Sequence, residues 1–481
     1  MKTKKIIALT LSMAMVLGVV AACSDDSAET TAASAAETTA ASAAQTDAPV
    51  VDETDAPVDE TEAETEAANG GATDVSAYAA LPVADVADEG DKVLIYGWNE
   101  EFPGLVDTYS DIEYDLETTE SNTYQTKLDT VLASGEDAPD LFVCDADYAS
   151  KYMNSDNTIA INSLGIDYAE CANMYNYTLQ FATDDSNVIK GLAWQACPCG
   201  VFYNRDLAET YLSAREPEDV AQYFESWDAF MQMARDINEA SEGAVKAVSG
   251  TDDIWRAYLN SRSQGWIVGG EVVVDPVMNQ YFDLAKELYD EQLTFETSQW
   301  GDVWTANMSN GSVLSYWGPM WLARFSMGLN DKGDETPSNP TSGSWGLVNA
   351  PGNFYWGGTW MMASKYCDMK ASCAQIMRDI AIDEANLQAM ADGGEFVNHI
   401  GIMTAIAADP NFALDWLGGQ NPAAVLLTAA TLIDNSIVGP NDQAINDAFN
   451  VVVNSYLTGD IETVADAEAQ FIAQIEELGI V

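Results

Sequence analysis

Residues 354–360, Phe-Tyr-Trp-Gly-Gly-Thr-Trp, set four aromatic rings around two glycines. A core segment has no need of the glycines, and a loop has no need of the rings. Together they suit a hydroxylated ring as ligand. A flat indole covers the apolar C–H face of a sugar, while carboxylates and amides bind its polar edge. Glycine lets backbone and bulky rings approach closely. Trp356, with Gly357 and Gly358 beside it, is the leading stacking candidate. Phe354 and Trp360 read equally well as core. The chain holds 13 Trp and 20 Tyr, so further rings are available for the same task.

Other chemistries find little support. The one histidine, His399, cannot supply a His-rich metal site, and the Cys197-Pro198-Cys199 spacing matches no common zinc pattern. There is no loop with calcium-ligand spacing and no glycine-rich phosphate cradle, so neither a metal nor a cofactor is expected. A serine or cysteine hydrolase would need a histidine base, and no nucleophile elbow is present. A glycoside hydrolase needs two carboxylates at a set separation. With 77 acidic residues such a pair arises by chance, so residue types alone do not exclude it. Disulfide connectivity cannot be read from spacing; free, buried thiols are the expectation for Cys144, Cys171, Cys197, Cys199, Cys367 and Cys373.

The elements that would position such a site follow from periodicity. The apolar run 92–97 reads as a buried strand ending at Trp98, Asn99 and Glu100, with Glu101 next. Leu128, Val131 and Leu132 lie at helical spacing, and Gly135 is a plausible stop. The run 141–145 is a second strand, followed by Asp147 and Tyr148. Strand, helix and strand at this length make the βαβ pattern of an α/β domain. Ligands in open α/β sheets gather at carboxyl ends of strands, which places Trp98, Asn99, Glu100, Glu101, Asp147 and Tyr148 among the candidates. Residues 217–240 read as a helix pair whose stripe, including Trp227, is core. In the C-terminal helix Ala467, Phe471, Ile475 and Leu478 make one face, and Gly479 ends it.

The first 22 residues have the order of a secretory signal: Lys2, Lys4 and Lys5, an apolar run from Ile6 to Val20, then small residues before Cys23. The run is short for a membrane span, and Cys23 is placed for cleavage and acylation, as in a bacterial lipobox. Residues 23–75 read as a disordered acidic tether. "AETTAASA" occurs twice in tandem, and residues 25–66 hold thirteen carboxylates and no Lys or Arg. Such a segment cannot bury enough apolar surface to offset its ordering entropy. As a flexible coil it would span about 40 Å, and more with like charges. The expected location is the outer face of a cell membrane of Gram-positive type, held by lipid alone. The formal net charge of −58 argues against nucleic acid and anionic lipid surfaces as partners.

The remaining residues, 76–481, are too many for one ordinary core. Here a series of segments resembles the bacterial extracellular solute-binding proteins of the maltodextrin- and multiple-sugar-binding type. Residues 124–148 resemble their helix–strand segment. Residues 191–209 resemble their interlobe crossing, ending in Tyr203-Asn204-Arg205-Asp206-Leu207. Residues 310–321 resemble their helix–glycine–strand stretch, 344–364 their return strand and glycine–aromatic segment, and 416–421 and 441–449 their C-terminal half. The order is kept across 92–481; Cys197-Pro198-Cys199 is the departure, where many relatives have a simple proline-containing loop.

The resemblance implies an α/β, two-lobed periplasmic-binding-protein-like fold, hinged between discontinuous lobes: lobe 1 at 91–196 and 347–397, lobe 2 at 197–346 and 398–481. It implies a monomeric, non-enzymatic component of an ABC importer that delivers a carbohydrate, an oligosaccharide by preference, to membrane permease subunits. It places Trp194 and Gln195 at the crossing, and Asp253, Trp255 and Arg256 at a second-lobe strand end facing the cleft. Trp317 becomes a stacking candidate, ahead of Trp321. Gln420 and Asn421 remain either ligand-binding amides or loop caps. The alternatives are the same fold carrying a polyamine, peptide or polyol, a sensor partner, or a lipid-anchored glycoside hydrolase, against which the resemblance weighs.

Overall fold

The structure, a computed structural model, describes residues 72–331 and 336–481. The expected signal segment, Cys23 and nearly all of the expected tether lie outside these residues. Among the described residues no helix is long and apolar enough to cross a membrane. Packing begins earlier than the expected lobe start at 91. Thr73 bonds to the Ala172 and Met174 carbonyls, and the Tyr78 hydroxyl reaches Asn176 at 2.9 Å, so residues 73–90 lie against lobe 1.

The strands in chain order are β1 (Val93–Gly97), β2 (Tyr114–Thr118), β3 (Leu141–Asp145), β4 (Gly191–Ala193) and β5 (Gly200–Asn204). Then come β6 (Ile267–Val268), β7 (Glu271–Val272), β8 (Ser315–Gly318), β9 (Trp345–Val348) and β10 (Thr359–Ala363). Lobe 1 is built on a sheet ordered β2-β1-β3-β10-β4, with β1 parallel to β2 and β3, and β10 antiparallel to β3 and β4. Lobe 2 has an antiparallel sheet ordered β8-β5-β9, and β6 and β7 form a separate hairpin. This is the two-lobed α/β architecture.

The periodicity signals are realised where side chains find a core. Helix Ser121–Ser134 buries Tyr124, Leu128 and Leu132, and ends at Gly135 in the left-handed conformation. Helix Trp227–Ala240 buries Phe230, Met231, Met233, Ala234 and Ile237. Helix Val464–Glu477 buries Ala467, Phe471 and Ile475. Leu478 is a correction: it is 57% exposed, because the chain turns off the helix there. Residues 252–259 are also a correction, forming a helix rather than a strand end. Asp252 and Asp253 lie in its first turn, where the positive end of the helix dipole favours carboxylates.

Three segments link the lobes and are bonded side by side. Residues 194–199 join β4 to β5. On one edge Ala196 N–H donates to the Phe396 carbonyl, and Asn398 N–H to Trp194 at 2.7 Å. On the other, Cys199 N–H donates to Phe354 at 2.9 Å and Trp356 N–H to Cys197 at 3.3 Å. Buried Asn398 adds side-chain bonds to Tyr175 N–H and the Ala193 carbonyl. The chain leaves the lobe 2 sheet after Val348 and enters the lobe 1 sheet at Thr359, so a boundary at 347 would cut through β9.

Candidate functional site

The carboxyl ends of β1 and β3 form one wall. Trp98 follows β1 and meets Tyr124 and Tyr148 edge-on, at ring-centre distances of 5.6 and 6.3 Å. Asn99 turns back to accept from Glu101 N–H at 3.0 Å, which starts helix Glu101–Tyr109. Glu100 points outward and is exposed. Asp145 ends β3 and caps helix Ala146–Met153 by accepting from Asp147 N–H at 2.8 Å.

Lobe 2 and the middle crossing supply the opposite wall. Trp356 lies against Trp321 (4.9 Å, near-perpendicular) and Trp300 (5.7 Å). Gly357 and Gly358 are both left-handed. A Cβ on Gly357 would sit 3.1 Å from the Trp321 indole nitrogen, and one on Gly358 3.0 Å from the Trp360 ring. The glycines are therefore needed twice, for the backbone turn and for clearance of rings. The Trp321 indole N–H donates to the Trp356 carbonyl at 3.1 Å.

The walls touch through Arg256. Its Nη2 donates to Asp147 Oδ2 at 3.1 Å across the lobes, its Nη1 to Gln299 at 3.2 Å, and its guanidinium lies 4.4 Å from the Trp356 ring centre. A second pair, Arg324 to Glu395 at 3.0 Å, is mostly buried. Among the described residues Glu101 and Asp145 have no basic partner within ion-pair distance. Burial pushes the Glu101 carboxyl up to about 7, with the Glu395 charge adding to it and Arg324 opposing. Burial and the neighbouring Asp147 likewise raise Asp145, and burial raises Glu395. A cavity of about 60 Å³ adjoins the Arg256–Asp147 pair, lined also by Tyr148, Tyr355, Trp356 and Gly357.

Several candidates do not meet at this place. Trp317 is 1% exposed, stacked on Trp227 at 5.5 Å with edges of Phe224 and Phe230 around it; β8 directs it into the lobe 2 core. Trp194 is equally buried and stacks on Phe102 at 5.8 Å. Asp253 is buried and fully engaged, accepting from Ser249 and Gly250 N–H and from the Trp304 indole at 2.7 Å; it holds the helix start and Trp304 in place. Gln195 is buried and accepts from the Cys197 thiol. Gln420 bonds both N–H and C=O of Leu347, closing the open edge of β9, and Asn421 donates to Ile406. Trp255 is buried beside Arg256, 5.8 Å from its guanidinium. Phe354 and Trp360 are core.

The structure thus brings together Trp98, Glu101, Asp147, Arg256, Trp321, Trp356, Gly357 and Gly358, and adds Asp145, Trp300, Arg324 and Glu395. Trp321 outranks Trp317 because Gly318 and Pro319 end β8 and turn the chain into the cleft. Arg324 and Glu395 are brought together by the fold; the scarcity of basic residues, 19 against 77 acidic, was the one signal for Arg324. All six cysteines of the described residues are free and buried.

Comparison with known proteins places this geometry. The family model for bacterial extracellular solute-binding proteins matches residues 91–370. No curated protein sequence matches the chain. A crystal structure of an extracellular solute-binding protein of family 1 is similar over 81% of this chain and 99% of its own, at 18% identity and TM-score 0.68. The galacto-N-biose-/lacto-N-biose I-binding protein of the Bifidobacterium longum ABC transporter, in complex with lacto-N-biose, covers 82% of this chain and 99% of its own, at 17% identity and TM-score 0.60. Maltose-bound MalE3 of T. maritima covers 80% of this chain and 99% of its own, at 18% identity and TM-score 0.60.

Proposed function

We infer function from family membership: this chain belongs to the bacterial extracellular solute-binding proteins, which bind solutes and are not enzymes. We propose that it captures a carbohydrate in the interlobe cleft and delivers it to the membrane subunits of an ABC importer. One observation carries this reading. The cleft joins the Trp356, Trp321 and Trp300 rings to carboxyls at Glu101 and Asp145 that have no basic partner among the described residues. Aromatic faces suit the C–H side of a sugar, and unpaired carboxyls suit its hydroxyl edge. Sugar complexes among the structural neighbours support the same choice.

Closure is a rigid-body motion about the three bonded crossings, and Arg256 with Asp147 joins the lobes in the closed arrangement. Ligand can shift that equilibrium only by its differential affinity for the two states. The proposal extends to the rest of the chain. Cys23 carries the lipid, residues 24–71 tether the domain to the outer membrane face, and the protein works as a monomer.

A second reading is favoured by the cleft charge. Among the described residues Glu101, Asp145, Asp147 and Glu395 face two cations, Arg256 and Arg324, an excess of carboxylates that suits an amine-bearing solute. Thermal shift of the purified protein against neutral oligosaccharides, amino sugars, polyamines and peptides separates the two. A ligand that binds only the native state raises the melting temperature by mass action. A shift with a neutral glycan recovered intact supports the first reading, and a shift confined to amines overturns it. Incorporation of a fatty-acid label that is lost in Cys23→Ala tests the anchor.

A further inference from the structure

Trp300 combines an exposed indole with an unusual backbone conformation. It is 55% exposed, whereas every other tryptophan is buried or half-buried. Its backbone is left-handed, φ +67°, a conformation bulky side chains avoid. More than half of the ring is left in water on a strained backbone, and such strain persists only where surrounding contacts impose it.

Those contacts come from the cleft. Gln299 N–H donates to Asp252 at 3.2 Å, and the Gln299 side-chain oxygen accepts from Arg256, the residue that bridges the lobes. The ring is set 5.4 Å from Trp304 and 5.7 Å from Trp356. Its plane lies within 11° of the Trp321 plane, with ring centres 6.1 Å apart. Trp321 and Trp300 therefore present faces in nearly one orientation, the first part-buried and the second mostly exposed. A single sugar ring at Trp356 and Trp321 would leave the Trp300 face unused, whereas a chain of rings would continue onto it.

We propose that Trp300 is an outer stacking platform that recognises the distal ring of an oligosaccharide and so sets a preference for chain length. The assignment rests on the carbohydrate reading above. The indole covers the C–H face of that ring, and Gln299 holds the indole in position through Arg256.

The test is calorimetric titration of the protein and of Trp300→Ala and Trp300→Phe with linear glucan, galactan, mannan and xylan oligosaccharides of one to four rings. Wild type is expected to bind longer members of one series more tightly than its shortest binder. Trp300→Ala is expected to lose at least tenfold on the longest member and less than twofold on the shortest. Trp300→Phe restores most of the loss, since it keeps a ring. Both variants are expected to unfold in one cooperative transition like wild type, because no buried side chain is removed. A loss equal at all lengths, or no loss, in a protein that does bind a glycan overturns the Trp300 assignment alone. Binding of no glycan by wild type overturns the carbohydrate reading, and this assignment with it.

Discussion

Replacing Glu101 by Gln should stabilise the protein at neutral pH and weaken its hold on ligand. The Glu101 carboxyl sits at the first turn of helix Glu101–Tyr109, half-buried in the cleft near Glu395, and accepts no hydrogen bond from the described residues. Folding raises it from 4.5 to about 7. Below pH ~4.5 it is protonated folded or unfolded, and contributes nothing to pH dependence. As pH rises toward 7 the unfolded chain gains more from ionising than the folded one, so stability falls, and beyond 7 the loss is complete. At ~1.4 kcal/mol per pH unit the interval amounts to about 3 kcal/mol. The glutamine variant escapes that penalty but loses a favourable charge at a helix N-terminus, worth ~0.3–1 kcal/mol. The net gain expected at pH 8 is about 2–3 kcal/mol, shrinking to zero or slightly below at pH 4. Urea unfolding at half-unit steps from pH 4 to 8 measures it. Some slope should persist in the variant, because burial also raises Asp145 and Glu395. Parallel stability profiles for the two proteins would refute the reasoning, as would a variant less stable than wild type at pH 8. Stability gained at a site that must receive ligand is a recurrent trade against function, so the same variant should bind its solute more weakly.

Four other outcomes follow from the geometry. Trp356→Ala should weaken glycan binding at least tenfold in a protein that still folds; unchanged affinity would remove Trp356 from the site. Trp317→Ala should lower stability by about 3–5 kcal/mol, as large core truncations do, yet leave affinity per folded molecule within twofold. Arg256→Ala breaks a part-exposed cross-lobe pair worth ~0.2–1 kcal/mol, so ligand-free molecules should shift toward the open form by up to about fivefold. Small-angle scattering reads that shift as a larger radius of gyration. The buried thiols, with Cys144, Cys197 and Cys199 held well above the ordinary thiol range by burial, should ignore a thiol reagent until urea unfolds the chain.

Local signals in the sequence determined the strand runs 93–97 and 141–145, the helix stop at Gly135 and the paired glycines at 357–358, because each depends on a chain's own spacing or φ preference. Family resemblance added the two lobes and the crossings. Tryptophan counting by itself could not sort rings, since Trp317 and Trp321 lie four residues apart in one segment. Only the fold decides that β8 aims the first into the stack on Trp227, while the turn at Gly318-Pro319 delivers the second to the cleft. Asp253 and Arg256 share one short helix and part company in the same way: the first is spent on Ser249, Gly250 and Trp304, and the second faces lobe 1. The Arg324–Glu395 pair joins residues 71 positions apart, and Arg256–Asp147 joins residues 109 apart. Contacts of that range depend on how the two sheets and three crossings pack, and packing is a property of the whole chain that no local pattern encodes.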